Sequence, residues 1–231
     1  MKNIFLLIPI LLSLFSCAEN DGSFKNTSNL PDLTPVTNAQ YEVVFTSNWN
    51  STSFPIDYPA TPEYLGALLI THNNKAGIFF PGEVASAGVN NMAINNGDNT
   101  QLLTELNAYQ TQNNALLYEL GVQNVSSPNA PFQLTMSSKQ PVVSLCMKMK
   151  PSPNWFLGLA NYSLLNVDGT WKTNATVNLV VYDNDDSTTT TTTYNSIYAP
   201  NSLGIIKEIN PTVLIPSTVG TPIGTLTFKK L

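Results

Sequence analysis

Short apolar runs rich in aromatic and β-branched residues recur along this chain from Tyr41 to Lys229, each closed by Gly, Pro or Asn. Such runs favour strands, because branched and aromatic side chains pack well on a pleated surface. The expected strands are Tyr41–Thr46, Leu65–Thr71, Ala76–Phe80, Phe132–Ser137, Val142–Met149, Trp155–Leu159, Thr176–Tyr182 and Thr225–Lys229. Asp168-Gly169 marks a tight turn. Many short strands with frequent turns predict an all-β fold, an antiparallel β-sandwich. One segment departs from this texture. After a start at Asp98–Gln101, residues Leu102, Leu106, Tyr109, Leu116, Leu117 and Leu120 follow a 3.6-residue period up to Gly121, which predicts a helix interrupted at Asn113. A shorter helical turn is expected at Glu83–Asn90.

Composition removes several classes of function. The 231 residues carry a formal charge of -5, which repels phosphate and argues against nucleic-acid binding. All ten basic residues are lysine, so no arginine clamp is present. One histidine, His72, and two cysteines, Cys17 and Cys146, are too few for a His/Cys zinc site or a disulfide scaffold. His72 is expected to be structural or exposed, and Cys146, in an apolar run, to behave as a small core residue.

The chain opens with Met1-Lys2-Asn3, an apolar run from Ile4 to Phe15, and Ser16-Cys17. A positive start and a short apolar run read as a secretory signal. A small residue and a cysteine at its end resemble the lipobox of bacterial lipoproteins. That resemblance implies cleavage after residue 16, lipid on Cys17 and membrane attachment through it. It places the protein in the cell envelope as an outer-membrane lipoprotein of a Gram-negative bacterium; Glu19 and Asp21 after the cysteine resemble the acidic tracts that accompany surface export in some such lipoproteins, and either membrane face stays open. Residues 17–40 are polar and read as a flexible tether. Residues 41–231 form the domain.

The sharpest chemical feature is Asp183-Asn184-Asp185-Asp186-Ser187, directly after an apolar strand. Three close carboxylates repel one another unless solvent or a cation screens them. A solvated acidic turn and a calcium site are both open. The spacing does not suit an EF-hand loop, whose sixth position would be Thr188 and twelfth Tyr194. A second feature, Lys150-Pro151-Ser152-Pro153-Asn154-Trp155, is a proline-held turn leading into a strand.

Together these features resemble the spondin domain family. Tyr41–Asn50 is similar to that family's "Y-x-V-x-F-x-x-x-W-S", Phe54–Pro59 to "H-P-x-D-F-P", Gly82–Gly88 to "G-x-x-A-S-x-G", and Pro151–Gly158 to "P-S-P-D-W-F-V-G". The resemblance implies a C2-like β-sandwich with a calcium ion at one end. It also implies a non-catalytic adhesion or recognition role toward an extracellular protein or glycan. By position the ligands are Asn154, Asp183, and Ser187 or, with a shifted loop, Asp186 or Asp185. Asn154 stands where the family has Asp, which keeps an oxygen and loses a charge.

Other readings are less pointed. Trp49, Trp155 and Trp171 are expected as core anchors, and Glu105 and Glu119 are expected to face water. Asp57 and Glu63 could imitate a glycosidase pair, the basis of a competing reading as a glycan-active enzyme. A lipoprotein that binds carbohydrate or protein without metal is a further alternative. Few lysines are expected near the acidic turn, which argues against a calcium-bridged phospholipid mode. Thr188–Thr193 is read as a loop or edge strand.

Overall fold

The computed structural model describes residues 35–56, 58–125, 129–184, 204–209 and 215–231. Among the described residues nine strands and two helices follow in the order β1 (Asn38–Ser47), β2 (Glu63–His72), α1 (Ala87–Ile94), α2 (Thr100–Thr111), β3 (Ala115–Gln123), β4 (Phe132–Ser137), β5 (Val142–Lys150), β6 (Trp155–Ser163), β7 (Asn174–Asp183), β8 (Lys207–Glu208) and β9 (Gly224–Lys230). All strand pairs are antiparallel. The sheet order is β3-β2-β5-β6-β7-β9-β1-β4, with β8 on β7.

The sheet curls into two layers, and β7 belongs to both. Asn174–Leu179 pair with β9, whereas Val180–Asp183 pair with β6. The free edges approach each other where Tyr118 of β3 donates its hydroxyl to the Thr135 carbonyl of β4 at 3.1 Å. Enclosed between the layers lies the main core, including Tyr41, Phe45, Trp49, Tyr64, Trp155, Leu157 and Phe228. A second core lies where α1 and α2 cover the outer side of β2, β5 and β6, and it contains Leu68, Phe79, Met92, Leu102, Phe156 and Tyr182. β1 faces a core on one side only and alternates in burial, while β5 is buried from Val142 to Met149 because both its faces are covered.

Two expectations are corrected. The helix ends at Thr111, and Ala115–Gln123 form a strand. Asn113 takes a left-handed φ of 57°, and Asn114 N–H bonds the Tyr109 carbonyl, which closes the helix. Leu116, Leu117 and Leu120 keep an apparent helical period because β3 places side chains in both cores. Ala76–Phe80 is a buried loop, with Ile78 and Phe79 packed in the second core. β1 also begins at Asn38, inside the stretch read as tether. The short turn expected at Glu83–Asn90 corresponds to α1, which starts at Ala87 and runs on to Ile94.

Candidate metal centre

β6 and β7 end together at one pole of the sandwich. Trp155 at the start of β6 is paired with Asp183 at the end of β7. Asn154 immediately precedes the first of these and is fully buried, and Asp183 is 1% exposed. Neither Oδ1 nor Nδ2 of Asn154 has a hydrogen-bond partner. An orphaned buried carboxamide costs about 1–3 kcal/mol, so this arrangement calls for a partner. Asn184 N–H bonds the Asn154 carbonyl at 3.4 Å, which ties the two strand ends together.

The turn before Asn154 is held by its own hydroxyl. Ser152 Oγ donates to the Met149 carbonyl at 2.5 Å and accepts from Trp155 N–H at 3.2 Å. The Lys150–Pro151 peptide is cis. Bare Gly158 completes the motif for a packing reason: a Cβ there would lie 2.6 Å from Phe79, which packs against Phe156 and Tyr182.

The Gly82–Gly88 segment reaches the same pole. Asn184 Nδ2 donates to Asn90 Oδ1 on α1. Ser86 caps α1 by accepting from Val89 N–H. Gly88 is required by close helix packing, since a Cβ would lie 2.5 Å from the Leu102 Cα. Glu105 was expected to face water and instead clamps this cap. Its Oε2 accepts from Ser86 Oγ at 2.6 Å and its Oε1 from Gly88 N–H at 2.7 Å. Glu119 is exposed, as expected.

The expected scarcity of lysine near the acidic strand end is also corrected. Lys207 of β8 is the register partner of Asp183. Lys148 of β5 is 2% exposed, and its Nζ donates to oxygens of Ser152 and Pro153. Burial pushes the Lys148 ammonium down to about 7, with Asp183 pulling it upward and Lys150 downward.

Asn154 and Asp183 are therefore brought together. Asp185, Asp186 and Ser187, like Cys17, Thr188–Thr193 and Asp57, lie outside the described residues. Glu63 forms an ion pair with Lys150 at 3.0 Å. Among the described residues no three His, Cys, Asp or Glu side chains gather in one place. A buried amide oxygen without a partner beside a buried carboxylate fits a hard cation, which prefers such oxygens. Asn154 Oδ1 and the Asp183 carboxylate are the described groups that would hold it.

His72 and Cys146 are structural. His72 Nδ1 faces the Asn73 carbonyl and Nε2 the Ser144 hydroxyl, both at 2.8 Å. Burial pushes His72 down to about 4, against hydrogen bonds from Asn73 and Ala76. The Cys146 thiol is fully buried and pushed up. Trp49 and Trp155 are core residues, and Trp171 packs at its margin against Tyr41. Among the described residues no helix is long and apolar enough to cross a membrane.

The fold and this pole define a two-layer antiparallel β domain whose strand-end loops converge beside a helical cover. A family model described as Spondin_N matches residues 39–214, and the chain belongs to that family. It is 25% identical to spondin-2 of Rattus norvegicus over 198 residues, covering 84% of this chain and 58% of that protein. It is 26% identical to spondin-2 of Homo sapiens over 150 residues, covering 63% and 45%. With spondin-1 of Bos taurus it shares 25% over 178 residues, covering 71% and 21%. The chain thus spans little more than half of these curated relatives at most.

Proposed function

We propose that this chain is a non-catalytic extracellular recognition and adhesion module that binds calcium at the strand ends carrying Asn154 and Asp183. The observation that carries the reading is the fully buried, unpartnered Asn154 side chain beside buried Asp183 in a Spondin_N domain. Asp185, Asp186 and Ser187 follow directly in sequence and are the further candidate ligands. Calcium bound there would neutralise the carboxylates and fix the loop after β7, and its binding would add stability by linkage. The domain's partner is an extracellular protein or glycan met by the loops of this pole. Lipid on Cys17 attaches the chain to the outer membrane of a Gram-negative cell, and the residues between Cys17 and the start of β1 at Asn38 supply reach.

Calorimetric titration of the chain with calcium tests the metal reading. Saturable binding lost in Asp183→Ala is expected, and no heat up to about millimolar calcium overturns it. For the anchor, mass spectrometry is expected to find an acylated Cys17 as the first residue. An unmodified Cys17 in the mature protein overturns that part.

A further inference from the structure

A cavity of about 310 Å³ lies between α2, the buried loop Gly77–Phe80 and Ile206, on the side of the sheet that the helices cover. That volume falls at the small end of ligand pockets. Most of its wall is apolar. Ile78 and Phe79 are buried there, and the Phe80 ring folds back over Gly77, where a Cβ would collide with it. Two polar side chains break this wall. Glu105 and Tyr109 stand one turn apart on α2 and line the same cavity. Burial first, and the Glu105 charge second, raise the Tyr109 hydroxyl above its ordinary pKa.

Both groups have unused bonding capacity. The Glu105 oxygens accept from Ser86 Oγ and Gly88 N–H, and Gln101 Nε2 stands 3.5 Å from Oε1. These donors are neutral. They fix the direction of the carboxylate and leave it its charge and further lone pairs. Among the described residues no lysine forms an ion pair with Glu105. The sequence between Asn184 and Gly204, which leads to the wall at Ile206, contains no lysine or arginine. The Tyr109 hydroxyl makes no hydrogen bond to a described residue. A hard divalent ion takes about six to eight oxygen ligands, which a wall of rings and aliphatic groups does not supply. An ammonium on an apolar stem fits this lining better. Its charge meets Glu105 beside aromatic faces, and its stem lies along Ile78 and Phe79.

We propose that this cavity binds a primary ammonium carried on an unbranched aliphatic stem, as in a lysine side chain or a free aliphatic diamine, with Glu105 as its counter-charge and Tyr109 as a hydrogen-bond acceptor. The cavity shares no residue with the strand-end pair Asn154 and Asp183, and the proposal does not rest on the calcium reading. Glu105 then has two tasks: it clamps the start of α1 and, held in place by that clamp, receives the cation without having to be reoriented.

Titration of the calcium-free chain, followed through its backbone amide resonances, tests this with three probes. They are Nα-acetyl-lysine amide, cadaverine, and Nα-acetyl-norleucine amide, which has the stem without the ammonium. At least one amine is expected to saturate by about 50 mM and to move the amides of Phe80, Glu105 and Tyr109. The norleucine probe is expected to bind at least about tenfold more weakly than the bound amine. Binding of the lysine probe assigns the cavity to a lysine of a partner protein, and binding of cadaverine alone assigns it to a free amine. Glu105→Gln is expected to weaken the amine at least about tenfold, and Tyr109→Phe, which leaves the clamp on α1 intact, about threefold. No saturation by either amine overturns the proposal, as does a norleucine probe that binds equally well or an unchanged affinity in Glu105→Gln. An unchanged affinity in Tyr109→Phe overturns the role of its hydroxyl. Should Glu105→Gln fail to fold, the comparison with norleucine on the unmodified chain decides.

Discussion

β5 buries polar side chains toward each of its ends, and the two clusters are finished differently. Toward Val142, the Ser144 hydroxyl accepts from Asn161 N–H at 3.0 Å and faces His72 Nε2, whose Nδ1 faces the Asn73 carbonyl. With Nδ1 protonated, each of these groups has a partner of the correct polarity. Toward Lys150, Lys148 is surrounded by oxygens while Asn154 keeps both side-chain polar atoms unmatched. A closed network specifies a fold; an open one marks where something else can bind. A Ser–His contact suggests chemistry more readily than an Asn–Asp contact does. Yet Ser144 is fully buried and His72 is nearly so, which removes both from any substrate.

Acid breaks the comparison with the largest effect. His72 binds its proton in the folded state only near pH 4, while an unfolded histidine takes one up near 6.5. Its contribution is full above pH 6.5 and is lost progressively as pH falls toward 4, by about 3 kcal/mol in all. Denaturant unfolding at pH 7 and pH 4.5 checks this, and His72→Gln is expected to remove that part of the pH dependence. Ser144→Ala comes next. It leaves His72 Nε2 and Asn161 N–H without their partner and is expected to cost about 2 kcal/mol in the same measurement. A Glu105→Gln exchange, which weakens the clamp on α1, is expected to cost about 1 kcal/mol and to speed amide exchange at Gly88 and Val89. The smallest effect sharpens the contrast most. Asn154→Leu removes an unsatisfied group instead of creating one, and is expected to change calcium-free stability by less than about 0.5 kcal/mol while lowering calcium affinity. A loss as large as that of Ser144→Ala would mean that the two clusters are alike.

How much of this was legible in the chain depends on how local the cause is. β1 shows its alternation because one side faces the core, and β4 was placed residue for residue. Asn154 and Asp183 fall together in advance only through the resemblance to the spondin family; the proline turn and the acidic strand end taken singly do not pair them. β3 could not be read, because its leucines serve two cores and so imitate a helical stripe; Asn113 was the available signal. Lys148 and Glu105 were missed for a related reason. In Val142–Lys150 a lysine suggests a solvent-facing position, but helices distant in sequence cover that side. Nothing near Glu105 in sequence announces that it bonds residues 17 and 19 positions earlier.

The layout of the strands also sets how this domain would carry a load. Asn174 pairs with Lys229, and Leu231 N–H bonds the Gln40 carbonyl, so the beginning of β1 and the end of β9 share a pole with the beginning of β7. Asp183 ends the ten residues of β7, roughly 30 Å farther on. A pull between Asn38 and the Asp183 pole therefore runs parallel to β1, β9 and β7. Antiparallel ladder bonds lie across that direction and must shear together instead of unzipping one after another. A domain gripped at these two poles resists tension as a lap joint does, with the shared strand β7 passing the force from one layer to the other.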